Sequence, residues 1–206
     1  LLETTKPDRE NFRSYVFHRP VSIIQATSLE QVESSLSEIE TALRNGYWLA
    51  GHIAYEAGCA FENVLKIPVQ LQQPLVWFGV YEEPWSFNHK ICQWEMGSRE
   101  ARAIIKKLKG QPALKNHPIP VTPSFEESEY ATAATRIQQY IAEGDTYQVN
   151  FTFKVKFPWK DTAASLYHRL REAQHVGYSA FMNCGDAKIL SLSPELFFRL
   201  NGNKLA

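Results

Sequence analysis

Three places along the 206 residues carry side chains able to do chemistry. Gln148, Asn150 and Thr152 alternate with apolar residues. On an extended backbone they share one face and offer three hydrogen-bonding groups to whatever lies against it. Ser193-Pro194-Glu195 stands between two apolar runs. Proline cannot donate to a strand ladder, so the strand must break or bulge there, and the carboxylate that follows can be aimed into a cavity. A carboxyl group set among apolar neighbours has its pKa raised and can act as a general acid. The third place is Thr4-Thr5 with Arg13-Ser14-Tyr15, polar groups beside a short extended segment. Each has an ordinary structural alternative: solvent-facing strand residues, an exposed glutamate at a strand break, and a plain turn.

Other chemistries find little support. Cys59, Cys92 and Cys184 are an odd, widely spaced set with no CxxC pair, which argues against a disulfide framework and fits a reducing compartment. His18, His52, His89, His117, His168 and His175 show no HxH, HxxxH or HxxEH spacing, so no metal site is expected from them. The phosphate-binding and nucleophile-elbow patterns GxGxxG, GxxxxGK[ST] and GxSxG are absent.

The elements that must position these groups read as a mixture of helices and strands. Leu29, Val32, Leu36, Ile39 and Leu43 form one helical stripe, with Ser28 as N-cap, Gln31 three residues on and Gly46 as the stop. Tyr47–Tyr55 and Leu75–Tyr81 read as strands, and Ser98–Leu108 as a short helix with Lys106, Lys107 and Lys109 near its end. Gly110, Pro112, Pro118, Pro120 and Pro123 then forbid regular structure. Ser128–Glu143 predicts a helix ended by Gly144-Asp145. From Tyr147 to Phe157 strict alternation predicts a long strand whose odd-numbered face is buried. A helix around Leu166, Tyr167 and Leu170 and strands at Tyr178–Asn183, Ile189–Leu192 and Leu196–Leu200 follow. Asn201-Gly202-Asn203 is a hairpin turn with only three residues after it, which predicts a chain cut inside a larger domain. The expected divisions are a first subdomain over 1–96, a proline-rich linker over 97–124, and the truncated start of a second domain over 125–206. The fold class is α+β, with mixed or antiparallel sheets and helices outside.

Composition sets outer bounds. Twenty-two basic and 22 acidic side chains cancel, which removes the simplest argument for nucleic acid or an anionic membrane as partner. A hydrophobic fraction of 44% with 21% charged residues is that of a folded globular chain. No apolar run reaches the roughly 18 residues of a membrane span, and the opening residues are not a signal peptide, so a cytoplasmic protein is expected.

Several ordered segments carry a resemblance. Ile141-Ala142-Glu143-Gly144-Asp145-Thr146-Tyr147-Gln148-Val149-Asn150 and Ile189-Leu190-Ser191-Leu192-Ser193-Pro194-Glu195-Leu196-Phe197 resemble the aminodeoxychorismate synthase component I family, the para-aminobenzoate synthase subunits. Leu1-Leu2-Glu3-Thr4, Arg13-Ser14-Tyr15-Val16-Phe17 and Gly51-His52-Ile53-Ala54-Tyr55-Glu56-Ala57-Gly58 appear in the order that this family has. Tyr147 and Asn150 favour it over the related anthranilate synthase component I.

The resemblance implies the N-terminal part of a two-lobed chorismate-binding fold and a reaction in which chorismate, Mg2+ and ammonia give 4-amino-4-deoxychorismate. Ammonia comes from a glutamine amidotransferase partner, and Glu195 protonates the departing C4 hydroxyl. A lysine that attacks the ring and the Mg2+ ligands are expected beyond Ala206, so these residues alone should be inactive. A tryptophan-type effector pocket is implied at Thr4, Phe12, Arg13, Ser14, Tyr15, Gly177, Tyr178 and Ser179. Here Thr4 replaces the family's serine, and Gly177 replaces its proline, which removes a fixed φ from the pocket wall. Anthranilate synthase component I and isochorismate or salicylate synthases are the near alternatives. A non-catalytic module holding an aromatic amino acid and a glutaminase is the alternative of another class.

Overall fold

A computed structural model describes residues 1–62, 73–96, 98–109 and 119–206. In chain order the first elements are β1 (Leu2–Glu3), β2 (Arg13–Val16), β3 (Ser22–Ala26), α1 (Val32–Arg44), β4 (Trp48–Ile53), β5 (Val76–Tyr81), β6 (Trp85–Asn88), β7 (Gln93–Trp94) and α2 (Ser98–Lys109). They are followed by β8 (Thr122–Pro123), α3 (Glu127–Glu143), β9 (Val155–Lys156), α4 (Ala163–Ala173), β10 (Tyr178–Cys184), β11 (Ala187–Ser193), β12 (Leu200–Asn201) and β13 (Lys204–Leu205). The architecture is α+β with antiparallel sheets.

Two compact units result, Leu1–Gln111 with Ala163–Ala206, and Pro112–Thr162. These boundaries differ from the divisions at 97 and 125 that the sequence suggests. The chain from Ala163 onward joins the first unit because β10 pairs with β1, matching Leu2 with Ala180 and Glu3 with Ser179. Much of the proline-rich stretch, 110–118, lies outside the described residues.

The first unit holds a six-stranded sheet in the order β11-β10-β1-β2-β6-β7, antiparallel throughout. The short β1 sits at its centre, so both neighbours fix its register. A second sheet, β3-β5-β4, carries α1. The Ser28 and Gln31 signal starts a 3-10 turn over Leu29–Gln31 that leads into α1, with the Gln31 Oε1 accepting from the Ser28 N–H at 3.2 Å and the Thr27 N–H at 2.8 Å. Gly46, at φ 84°, ends the helix where a side chain would be strained. The stripe packs Val32, Leu36 and Ile39 against Ala26, Leu75 and Val76. Burying side chains of this size stabilises by about 2 kcal/mol each.

In the second unit α3 begins with a capping pair, the Glu126 N–H donating to Glu129 Oε2 at 2.9 Å, and ends at Gly144 with φ 83°. Phe125 and Tyr130 meet Phe151 and Phe153 edge-on or tilted at 5.6–6.3 Å.

The long strand expected from Tyr147 to Phe157 does not form. Only Val155–Lys156 is extended and paired, with Thr122–Pro123, and the odd-numbered face is open, Tyr147 being 93% exposed. Alternation specifies which side chains share a face but supplies no partner for the backbone, and no described strand pairs with 147–154. The strand expected over Leu196–Leu200 is likewise reduced to Leu200–Asn201, which pairs with Lys204–Leu205 across Gly202.

Candidate functional site

The centre of the six-stranded sheet gathers most of the residues that the sequence marked near its start and near 178. Thr4 and Ser179 are buried, at 1% and 3% exposure. The Thr4 N–H donates to Ser14 Oγ at 3.1 Å, and Ser14 Oγ lies 2.7 Å from His89 Nε2. Thr5 and Val176 bind each other three ways: the Thr5 N–H and Oγ1 both donate to the Val176 carbonyl, and the Val176 N–H donates to Thr5 Oγ1. Asn11 Nδ2 donates to the Gly177 carbonyl at 2.6 Å. The turn before β10 is thereby tied to the turn after β1. Gly177 does not have a positive φ, and a Cβ there would meet only Asn11 Nδ2, at 3.6 Å.

Arg13 is committed to a partner. Its guanidinium donates to both oxygens of Glu95, at 2.7 and 3.1 Å, and Asn88 Nδ2 donates to the same carboxylate at 2.8 Å. The bond from Arg13, then that from Asn88, holds the Glu95 carboxyl down at about 2. Phe12 is covered by cations, with Lys90 Nζ at 3.7 Å and the Arg13 guanidinium at 4.5 Å from its ring centre. Tyr15 lies tilted against Trp48 at 6.3 Å.

Three of the implied pocket residues open onto two separate cavities. Arg13 and Tyr15 line a polar cavity of about 530 Å3 with Glu10, Arg199 and Lys204, whereas Ser14 opens onto a different one of about 410 Å3. Tyr178, half-buried, leads into β10 opposite Ser193.

Sequence reasoning missed a bidentate ion pair near the site. Arg171 on α4 donates to both Glu3 oxygens at 2.7 and 2.8 Å, and the Tyr167 hydroxyl donates to Glu3 Oε2 at 3.3 Å. Burial first, and then the Glu3 charge, push the Tyr167 hydroxyl well above the tyrosine range. The alternation through Leu2, Glu3 and Thr4 signals that Glu3 faces away from its neighbours; nothing local signals Arg171.

Glu195 follows the end of β11. The strand stops at Ser193, before Pro194, as the loss of an N–H requires. Ser193 Oγ donates to the Glu195 carbonyl at 2.9 Å and accepts from the Glu195 N–H at 3.3 Å, which fixes the backbone there. The side chain is exposed rather than set in an apolar cavity. Gln148 Nε2 donates to Asn150 Oδ1 at 3.1 Å, which joins the two amides locally. Among the described residues there is no group of three His, Cys, Asp or Glu side chains that could hold a metal ion.

Residues 2–206 match the model of the chorismate-binding enzyme family. The chain belongs to that family. Among curated proteins this member of the family is similar to anthranilate synthase component 1 3 of Haloarcula marismortui, at 26% identity over 180 residues, 75% of the chain and 36% of the relative. It is similar to the aminodeoxychorismate synthase component 1 of Salmonella typhimurium, at 28% over 160 residues, 74% of the chain and 35% of the relative. The Bacillus subtilis protein of the same description is 26% identical over 174 residues, covering 75% and 37%. The chain thus spans about a third of the length of these relatives. Anthranilate synthase component I from Streptococcus pneumoniae has the same fold, with a TM-score of 0.71 at 18% identity over 93% of the chain and 52% of that structure. Among the described residues no helix is long and apolar enough to cross a membrane.

Proposed function

We propose that these residues are part of an aminodeoxychorismate synthase component I, a transaminase-class enzyme that uses chorismate and ammonia to form 4-amino-4-deoxychorismate. The observation that carries the reading is Glu195, placed by the Ser193 turn at the end of β11 within a sequence that also holds Tyr147-Gln148-Val149-Asn150. The aminodeoxychorismate synthases among its relatives support the same choice.

In this reading Glu195 is the general acid. Its carboxyl proton passes to the C4 hydroxyl oxygen of chorismate as the C4–O bond breaks, and the oxygen leaves as water while ammonia supplies the new C4–N bond. Exposure of Glu195 in the present chain suits a group that is desolvated only when substrate and the rest of the site cover it. Ammonia is delivered by a glutamine amidotransferase partner, and the protein works in the cytoplasm. Mg2+ belongs to the reaction in this reading, and its ligands are expected beyond Ala206.

The test is product analysis on the complete protein carrying these residues, incubated with chorismate, Mg2+ and an ammonium salt. 4-Amino-4-deoxychorismate is expected. Anthranilate instead would favour the second reading, anthranilate synthase component I, which the Haloarcula relative supports. No product would leave a binding module. Glu195→Gln is expected to lower kcat about a hundredfold with little change in KM, and residues 1–206 alone to be inactive. For the effector pocket, calorimetry with tryptophan decides: binding lost in Tyr178→Ala supports it, and no heat at millimolar ligand excludes it.

A further inference from the structure

The two faces of the six-stranded sheet are chemically different, and strand register separates them. Leu2 pairs with Tyr15 and shares its face. Glu3 pairs with Ser179, Ser14 with Phe87, and Phe87 with Trp94, which places these side chains on the opposite face, where Arg171 reaches Glu3. On that second face lies the cavity of about 410 Å3, closed on one side by α2.

We propose that this cavity binds a single-ring arylcarboxylate, at a site distinct from the one that would hold chorismate and from the cavity that Arg13 and Tyr15 line. Its volume falls near the lower end of the roughly 300–1,000 Å3 of small-molecule sites, which suits one ring. Its walls are apolar and aromatic: Val16, Ile105, and the edge-to-face pair Phe87 and Trp94, with centroids 5.3 Å apart. The polar groups at its base are already matched, Glu3 with Arg171 and Ser14 with His89, so they present little net charge to a ligand. Arg102 and Lys106 stand one turn apart on α2, both lining the cavity, both exposed. Among the described residues neither forms an ion pair with a carboxylate. An aromatic body with an anionic end therefore satisfies both the walls and the rim, whereas a cation would meet two like charges.

The proposal does not rest on the reaction assigned above, and its test involves no turnover. The full chain is titrated with benzoate while the Trp94 indole N–H is followed by NMR, assigned through Trp94→Phe. Saturable movement of that signal is expected. Benzamide, which keeps the ring and loses the charge, should bind about tenfold more weakly. The double variant Arg102→Glu, Lys106→Glu alters only exposed side chains; it should lose about tenfold in benzoate affinity or more while the thermal midpoint stays in place. No saturable shift at millimolar benzoate, equal binding of benzamide, or full affinity in the double variant would each overturn the proposal.

Discussion

Glu95 shows how one carboxylate can hold three strand segments in register. Arg13 on β2, Asn88 and Ser86 on β6 and the turn after β7 all meet at its two oxygens. Its folded pKa, about 2, lies below the ordinary 4.5. A depressed carboxylate contributes stability that is complete above the unfolded value and is lost as the pH falls through the folded one. The denaturation midpoint should therefore fall between about pH 4.5 and 2, and Glu95→Gln should flatten that decline. Equal slopes in both proteins would remove Glu95 as the cause. His52 acts in the same direction at higher pH. Burial lowers its pKa from 6.5, so the unfolded chain takes up the proton more readily and stability falls as the pH drops below that value. His52→Gln should remove this part of the pH dependence, read from denaturant midpoints between about pH 7.5 and 5.5, a unit either side of the ordinary histidine value. Arg13 stood among the candidate site residues in the sequence; Glu95 did not, because the two are 82 positions apart and no local pattern links them.

At the scale of elements, two contacts test how the sheets are held. Glu3 on β1 and Arg171 on α4 form a bidentate pair in which the side chains are only 11% and 23% exposed. Glu3→Gln leaves a largely buried guanidinium without its counter-charge, so a loss of about 3 kcal/mol is expected in urea melts. The double change Glu3→Gln, Arg171→Met should recover part of that loss; no recovery would mean that the pair is not the source. Gly51 marks the closest approach in the second sheet. A Cβ there would overlap the Trp77 carbonyl oxygen and lie 2.7 Å from Phe78 Cα. Gly51→Ala should cost about 3 kcal/mol, seen as a lowered thermal midpoint, while Gly58→Ala, where a Cβ meets open space, should cost far less. The helices and the hairpin turn at Gly202 were legible in the sequence because caps, stripes and turn residues act within a few positions. The Tyr147–Phe157 alternation does not become a strand, for the complementary reason. Its pattern is genuine, but a strand exists only where another backbone meets it, and Thr122–Pro123 meets two residues of it.

For the whole molecule, the distribution of apolar surface is the informative quantity. Core side chains such as Leu75 and Val76 are wholly buried, yet Phe197 is 95% exposed, Leu205 71%, Leu200 65% and Phe198 58%. These four cluster in nine residues that include the β12–β13 ribbon, a sheet of two strands among the described residues. Large apolar side chains beside an unpaired strand edge are a template for association with another chain. Residues 1–206 should therefore form dimers or larger species as concentration rises, measured by sedimentation velocity. Phe197→Ser with Leu205→Lys should shift the population to monomer without lowering the thermal midpoint, because neither side chain contributes to the buried core. A wild-type chain that stays monomeric at high concentration would show that the ribbon does not drive association. If instead both proteins associate equally, the exposed Tyr147, Val149 and Phe153 of the second unit become the surface to alter next.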